Sequence, residues 1–279
     1  MKKRPIQFLE ALSHNLSEEQ AASGQAELTV ILFHGYGADA YDLRSLAEVL
    51  ETGKKTRYIF PMGPLEVPIG PGWTGRAWWP IDMARIEKVA MTGQPADLSE
   101  EIPQGLDSLR EEVFKMIESI EPDFSKVVVG GFSQGSMLAT ELALSASAQS
   151  SAHSRSTSHS QEIAQASSQT DNPLNAKRDA ELSSELSSAS IPRQFRGLLL
   201  FSGALVNKAQ WKAKAPSAKG LRFLMTHGSQ DMVLGIKGAQ QLESMLASSG
   251  LKGKLVSFPG SHEIPMLAIQ KANEFLSSL

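Results

Sequence analysis

The sequence predicts an α/β fold, a mostly parallel central sheet with helices on both faces. Two observations predict it. The strand-like segments are short continuous apolar runs, such as Leu28–Phe33 and Leu198–Phe201, rather than alternating ones. Runs of that kind belong to strands covered on both sides. They also alternate along the chain with stretches whose apolar residues recur at helical spacing. At 279 residues the chain suits one large domain.

Residues 1–27 are mixed, with a short strand or helix near Ile6 to Leu12. Leu28–Phe33 is the first buried strand and ends in the glycine-rich turn His34-Gly35-Tyr36-Gly37-Ala38-Asp39. Asp42 then fits as the N-cap of a helix through Leu50. Tyr58-Ile59-Phe60 is a short strand closed by Pro61. From Pro61 to Pro103 the chain is rich in glycine and proline and carries Trp73, Trp78 and Trp79. A loop of that length is usually functional or disordered, and the tryptophans argue for order. They serve either as a wall of the site or as plain packing, and both readings are open here.

A helix is predicted over Ser99–Ile120, with Ser99 at the N-cap and Leu106, Leu109, Val113 and Ile117 on one face. A helix from Gln134 to about Ala146 follows the strand beginning at Val127. About a third of Ser145–Ile191 is serine, and the stretch has almost no aromatic residues. Such a composition cannot bury a core, so 145–191 reads as an insertion that is disordered or weakly helical and holds no site residue. Strands resume at Gly197–Ser202 and Leu221–Thr226. The segment between them, Gly203 to Lys219, is too short for a separate cap domain. A helix over Ile236–Ala247, a strand over Lys254–Phe258 and a C-terminal helix complete the pattern.

Composition narrows the function classes. The formal net charge is −3 and no basic stripe forms, which argues against a nucleic-acid role. The absence of cysteine excludes disulfides, thiolate metal sites and a cysteine nucleophile. The basic start Met1-Lys2-Lys3-Arg4-Pro5 is not followed by an apolar stretch of signal-peptide type, and no run approaches a membrane span. The expectation is a cytoplasmic chain without a transmembrane segment.

The chemistry centres on Gly131-Phe132-Ser133-Gln134-Gly135, a G-x-S-x-G motif between a β-branched strand and a helix. That context is what a nucleophile elbow requires. The glycines permit close backbone approach, Ser133 stands exposed at the strand top, and the Gln134 amide at the helix start is an oxyanion donor. Two further residues also lie just past predicted strand ends, Asp231 and His262. In an open parallel sheet, ligand sites form at that edge. His262 has the pKa range to take the Ser133 proton, and Asp231 would hold the imidazole tautomer. His34 and His227 also precede glycine at strand ends. Either could be a base, though the plainer reading has each bonded within its own turn. Asp82, on the tryptophan loop, is the rival acid.

The order Ser133, Asp231, His262 is that of α/β-hydrolases. Four segments resemble the phospholipase/carboxylesterase family of that fold, which includes acyl-protein thioesterases and small bacterial carboxylesterases. They are Leu32-Phe33-His34-Gly35-Tyr36-Gly37-Ala38-Asp39, Gly131–Ser136, His227-Gly228-Ser229-Gln230-Asp231 and Gly260-Ser261-His262-Glu263-Ile264-Pro265. The resemblance implies that the Tyr36 amide is the second oxyanion donor and that Arg76, Trp78 and Trp79 lie near an acyl pocket. Ser136 departs from the family's usual glycine, Gly235 stands where a proline commonly follows the acid, and Trp79-Pro80 replaces an aromatic–Asp pair. The expected activity is hydrolysis of carboxylic esters or thioesters through an acyl-enzyme, without metal or cofactor. The expected substrate is a small acyl ester or thioester, from lipid or acylated protein, and the expected assembly a monomer or homodimer. The alternatives are a peptidase or amidase on the same triad and a non-catalytic binding protein of the same fold.

Overall fold

A computed structural model describes residues 5–82, 91, 92, 95, 97–149 and 193–279. The expectation that 145–191 is disordered or weakly helical falls largely on residues outside these. So does the part of the tryptophan loop at 83–90, 93, 94 and 96.

The chain forms a seven-stranded sheet in the order β1-β3-β2-β6-β7-β8-β9. Its strands are β1 (Phe8–Leu12), β2 (Leu28–Phe33), β3 (Thr56–Pro61), β6 (Val127–Phe132), β7 (Gly197–Phe201), β8 (Arg222–Gly228) and β9 (Lys252–Phe258). Every pairing is parallel except that of β1 with β3. A separate antiparallel hairpin, β4 (Leu65–Gly70) with β5 (Trp73–Ala77), occupies part of the tryptophan loop.

The alternation of side chains along each strand sorts the core into two layers. Ile31, Phe33, Val127, Val129, Leu198 and Leu200 face α3 (Leu106–Ile120), α4 (residues 134–149), α5 (Lys208–Lys214) and α6 (Ile236–Ser248). Leu28, Val30, Leu32, Val128, Leu199 and Phe201 face α2 (Ala40–Arg44) and α7 (Met266–Ser277). Every residue of β2 and β7 is buried, which is why these strands read as solid apolar runs. The edge strand β9 instead leaves Lys252 and Lys254 exposed, charges that discourage pairing with a further strand.

Two predicted helix starts are corrected. Asp39, not Asp42, caps α2; its backbone is extended and its side chain accepts the Tyr41 amide. The helix expected from Ser99 begins at Leu106, after Gly105 in the left-handed conformation. Ser99 and Glu101 cannot enter it because their carbonyls accept the Lys208 and Asn207 amides at 2.9 and 2.7 Å.

One buried carboxylate ties three helices together. Glu141 on α4 has no solvent exposure. It accepts from Arg110 on α3 at 2.9 Å, from Lys214 and Trp211 on α5 at 2.7 Å each, and from Ser145 at 2.7 Å. Burial pushes this carboxyl up, but the Lys214, Ser145 and Arg110 donors outweigh it and hold it below the ordinary carboxylate range. At the far end of α4, Gln149 accepts a hydrogen bond from Arg193 at 2.8 Å. The Arg196 amide then bonds Val127 at the start of β6. Both flanks of 150–192 therefore lie at the sheet edge opposite the end of β6.

Glu141→Ala should cost about 3–5 kcal/mol in urea unfolding, because it removes the acceptor of the buried Trp211 indole N–H and of the partly buried Lys214 and Arg110. A depressed carboxyl stabilises the fold above the unfolded-state range, and that contribution fades as pH falls. The gap between wild type and variant should therefore narrow on acidification below about pH 4. A loss under 1 kcal/mol, or a gap independent of pH, would contradict the network's role. Joining residues 149 and 193 by a short Gly/Ser linker should leave ester turnover within a few-fold of wild type. A large loss in a folded variant would show that the segment reaches the site.

Candidate active site

The sheet order creates a crevice. From β2 the chain steps outward to β3 and later returns to β6 on the other side of β2. The connections leaving β2 and β6 diverge at their carboxyl ends, the switch point where α/β sheets bind ligands. Register pairs Phe33 with Gly131, so His34-Gly35 and Ser133 emerge side by side.

The elbow at Ser133 is built from close backbone contacts. Ser133 has φ 55°, the left-handed region a non-glycine residue rarely adopts. Its amide donates to Phe201 at 2.9 Å, which holds the turn against β7. A Cβ on Gly131 would lie 2.4 Å from the Phe33 carbonyl oxygen, and one on Gly135 would lie 1.9 Å from it. Both positions therefore admit only glycine. A Cβ on Gly35 would be 3.3 Å from that of Ser133, so the His34-Gly35 turn packs directly on Ser133. Ser136, the departure from glycine, is fully buried, with its hydroxyl 2.5 Å from Gly131 O and 2.7 Å from Phe201 O. Its room comes from Gly203, where a Cβ would sit 2.7 Å from the Ser136 Cβ.

Asp231 and His262 come from the loops after β8 and β9. His262 Nδ1–H donates to Asp231 Oδ2 at 2.7 Å. The His262 ring stands 4.7 Å from that of Phe132, the neighbour of Ser133, which brings it to the elbow. Asp231 Oδ1 accepts the Val233 and Leu234 amides at 2.9 and 2.8 Å. Burial pushes the Asp231 carboxyl up, but the bonds from His227 and His262 overcome this and hold it well below the usual carboxylate range. Asp82, the rival acid, is exposed.

The turn after β2 is braced from behind. His34 is fully buried, its Nδ1–H donating to Gly35 O at 2.7 Å and its Nε2 accepting the Gly63 amide at 2.9 Å. Burial lowers its pKa, in keeping with a neutral structural ring. Trp78 lies over this ring and donates its indole N–H to His34 O at 2.8 Å. The Gln134 side chain accepts the Trp78 amide and donates to Trp79 O, each at 2.9 Å. Gly37 and Arg76 join the β2 turn to the β4–β5 hairpin by a reciprocal pair of backbone bonds at 2.8 Å, Gly37 N–H to Arg76 O and Arg76 N–H to Ala38 O.

Of the predicted site residues, Ser133, Asp231 and His262 gather at one sheet edge, with Tyr36 and Gln134 beside them. Trp78 and Trp79 are instead 2% and 6% exposed. They are packed behind the turn, and the expectation that they line an acyl groove does not match this burial. Arg76 is partly exposed, with its guanidinium 3.9 Å from Glu66. Gly235 makes up for the missing proline by contact, since its absent Cβ would lie 2.9 Å from Pro95. Sequence reasoning missed the bracing by Gln134, and it left His227 within its own turn. Among the described residues, no group of three or more His, Asp or Glu side chains is arranged to hold a metal ion. No helix among them is long and apolar enough to cross a membrane.

A model of the Phospholipase/Carboxylesterase family matches residues 14–178 and 182–279. Among solved structures, the chain is similar to esterase PE8 at 19% identity, covering 99% of each chain with a TM-score of 0.65. It is also similar to a phospholipase/carboxylesterase from Dyadobacter fermentans at 19% identity, covering 99% of this chain and 98% of that one, with a TM-score of 0.61. Zea mays acyl-protein thioesterase 2 matches at 19% identity over 98% of both chains, again with a TM-score of 0.61. At these identities the likeness establishes the fold.

The burial of Trp78 makes a clear prediction. Trp78→Ala should destabilise the protein by about 3–5 kcal/mol and lower turnover by the same factor for esters of every chain length. A change in chain-length preference at unchanged melting temperature would return Trp78 to the wall of a groove.

Proposed function

Because the chain belongs to the phospholipase/carboxylesterase family, we propose that it is a serine hydrolase cleaving carboxylic esters or thioesters through an acyl-enzyme. The observation that carries this reading is the 2.7 Å bond from His262 Nδ1 to Asp231 Oδ2 beside the Ser133 elbow. With Nδ1–H committed to the carboxylate, Nε2 is the ring atom left to take a proton.

Ser133 Oγ attacks the acyl carbon as its proton passes to His262 Nε2. The carbonyl π electrons move onto oxygen, where the Tyr36 and Gln134 amides stabilise them. An oxyanion donor of this kind contributes about 3–4 kcal/mol. The tetrahedral species expels the alkoxide or thiolate, which receives the His262 proton. Water then repeats the sequence, with His262 again the base, releasing the acid and restoring Ser133. Asp231, a carboxylate throughout, orients the ring and stabilises the imidazolium. Exposed apolar side chains adjoin the site: Ile69 packs on Gly37 of the β2 turn, and Met232 and Val233 follow Asp231. Apolar surface there supports a lipophilic acyl substrate of the carboxylesterase, lysophospholipase or acyl-protein thioesterase type.

Labelling by a fluorophosphonate probe, lost in Ser133→Ala, tests the nucleophile. Turnover of p-nitrophenyl esters should fall by several orders of magnitude in Ser133→Ala, and by about 10⁴ in Asp231→Asn. Asp82→Asn should leave it near wild type. Equal cleavage of esters and anilides would favour a peptidase or amidase. An unlabelled wild-type protein would favour a binding role.

A further inference from the structure

His227, near the end of β8, is fully buried. Its Nε2 lies 2.5 Å from the Leu234 carbonyl oxygen and 3.2 Å from Asp231 Oδ2. Both are acceptors, so Nε2 carries a hydrogen, bonded to Leu234 O with Asp231 Oδ2 as its second, longer contact. Its Nδ1 is buried with no hydrogen-bond partner among the described residues. A second proton there would face no acceptor, which makes the ring a neutral donor. The ring is also held in place. A Cβ on the next residue, Gly228, would lie 2.1 Å from Ser261 O, so the end of β8 is pressed against the His262 loop.

Asp231 thus accepts three hydrogen bonds and has a fourth donor, His227, within 3.2 Å. Two amides occupy Oδ1, while His262 and His227 share Oδ2. We propose that His227 is a positioning residue, a neutral Nε2–H donor that fixes the Asp231 carboxylate and withdraws from Oδ2 part of the charge it presents to His262. The inference rests on the serine-hydrolase reading for its kinetic consequence and on geometry alone for the bond itself. His227 touches neither substrate nor the reacting atoms; it acts through Asp231. Without it, Oδ2 would bind the imidazolium of His262 more strongly, and the acid limb of the rate profile would move up. Among the described residues, the other charged side chain on the His262 loop is Glu263, which accepts the Ser261 amide at 3.1 Å. The neighbouring strand ends contribute the uncharged Phe132 and Ser202, the latter 3.4 Å from Glu263 O.

The test compares His227→Gln, which keeps an N–H at similar reach, with His227→Met, which keeps the volume and loses the donor. In His227→Met the acid limb of kcat/KM for a p-nitrophenyl ester should move up by roughly half to one pH unit, with kcat down several-fold. In His227→Gln the limb should stay within a few tenths of a unit of wild type. A His227→Met profile that matches wild type, or an acid limb that moves down, overturns the proposal even if the melting temperature falls. Should His227→Met fail to fold, ¹⁵N NMR of the wild-type protein decides. The neutral Nε2–H tautomer of His227 between pH 6 and 8 is expected, and an Nδ1–H tautomer or an imidazolium overturns the proposal. Because NMR does not depend on turnover, a wild type that hydrolyses no ester would sink the serine-hydrolase reading while leaving this bond testable.

Discussion

The structure depends on how closely three backbones meet at the end of β6. Gly131 and Gly135 both approach the Phe33 carbonyl at distances that no side chain permits. This contact sets α4 directly on the junction of β2 and β6. It also forces Ser133 into the left-handed conformation, with its amide secured to β7. The turn is costly for a non-glycine residue, by about 1–3 kcal/mol. The flanking strands β2 and β7, buried along their full length, and β6, buried up to Phe132, offset that cost.

The rest of the site is assembled from loops, and each loop is braced by buried polar contacts. The β2 turn carries no regular structure of its own. It is held by His34 bridging Gly35 and Gly63, by the Trp78 indole, and by Gln134, whose side chain ties the Trp78-Trp79 backbone to the elbow. One residue therefore serves two ends. The Gln134 backbone starts the helix directly after Ser133, and its side chain fixes the wall behind the β2 turn. On the other side, the Asp231 loop closes on its own carboxylate through the Val233 and Leu234 amides. Polar groups in such a place are stabilising when satisfied; beside Asp231, the buried Nδ1 of His227 is an exception among the described residues.

Two departures from the family pattern are matched by neighbours far away in sequence. Ser136 needs the space that Gly203 leaves, and Gly235 leaves a space that Pro95 fills. Each pair conserves volume at the core rather than residue type at a position, as close packing requires. Neither exchange contacts Asp231 or His262.

Local patterns in the sequence determined the strands, the elbow and the order of the chemical groups. An apolar β-branched run, two glycines flanking a serine and a histidine after a strand each act within a few residues. The fold class followed from those runs, since a strand apolar at every position must be covered on both faces. Tertiary structure decided what depends on distant partners. Ser99 looks like a helix cap, but its carbonyl and that of Glu101 are taken by the chain entering α5, so α3 starts later. Trp78 and Trp79 look like groove walls, but the hydrogen bonds of Gln134 and His34 draw them inward. His34 and His227 share the same local pattern, a histidine before glycine at a strand end. Only the fold sets one against the carbonyl of Gly35 and the other against Asp231, because the carboxylate reaches His227 through the path of the loop and not through any residue in the motif.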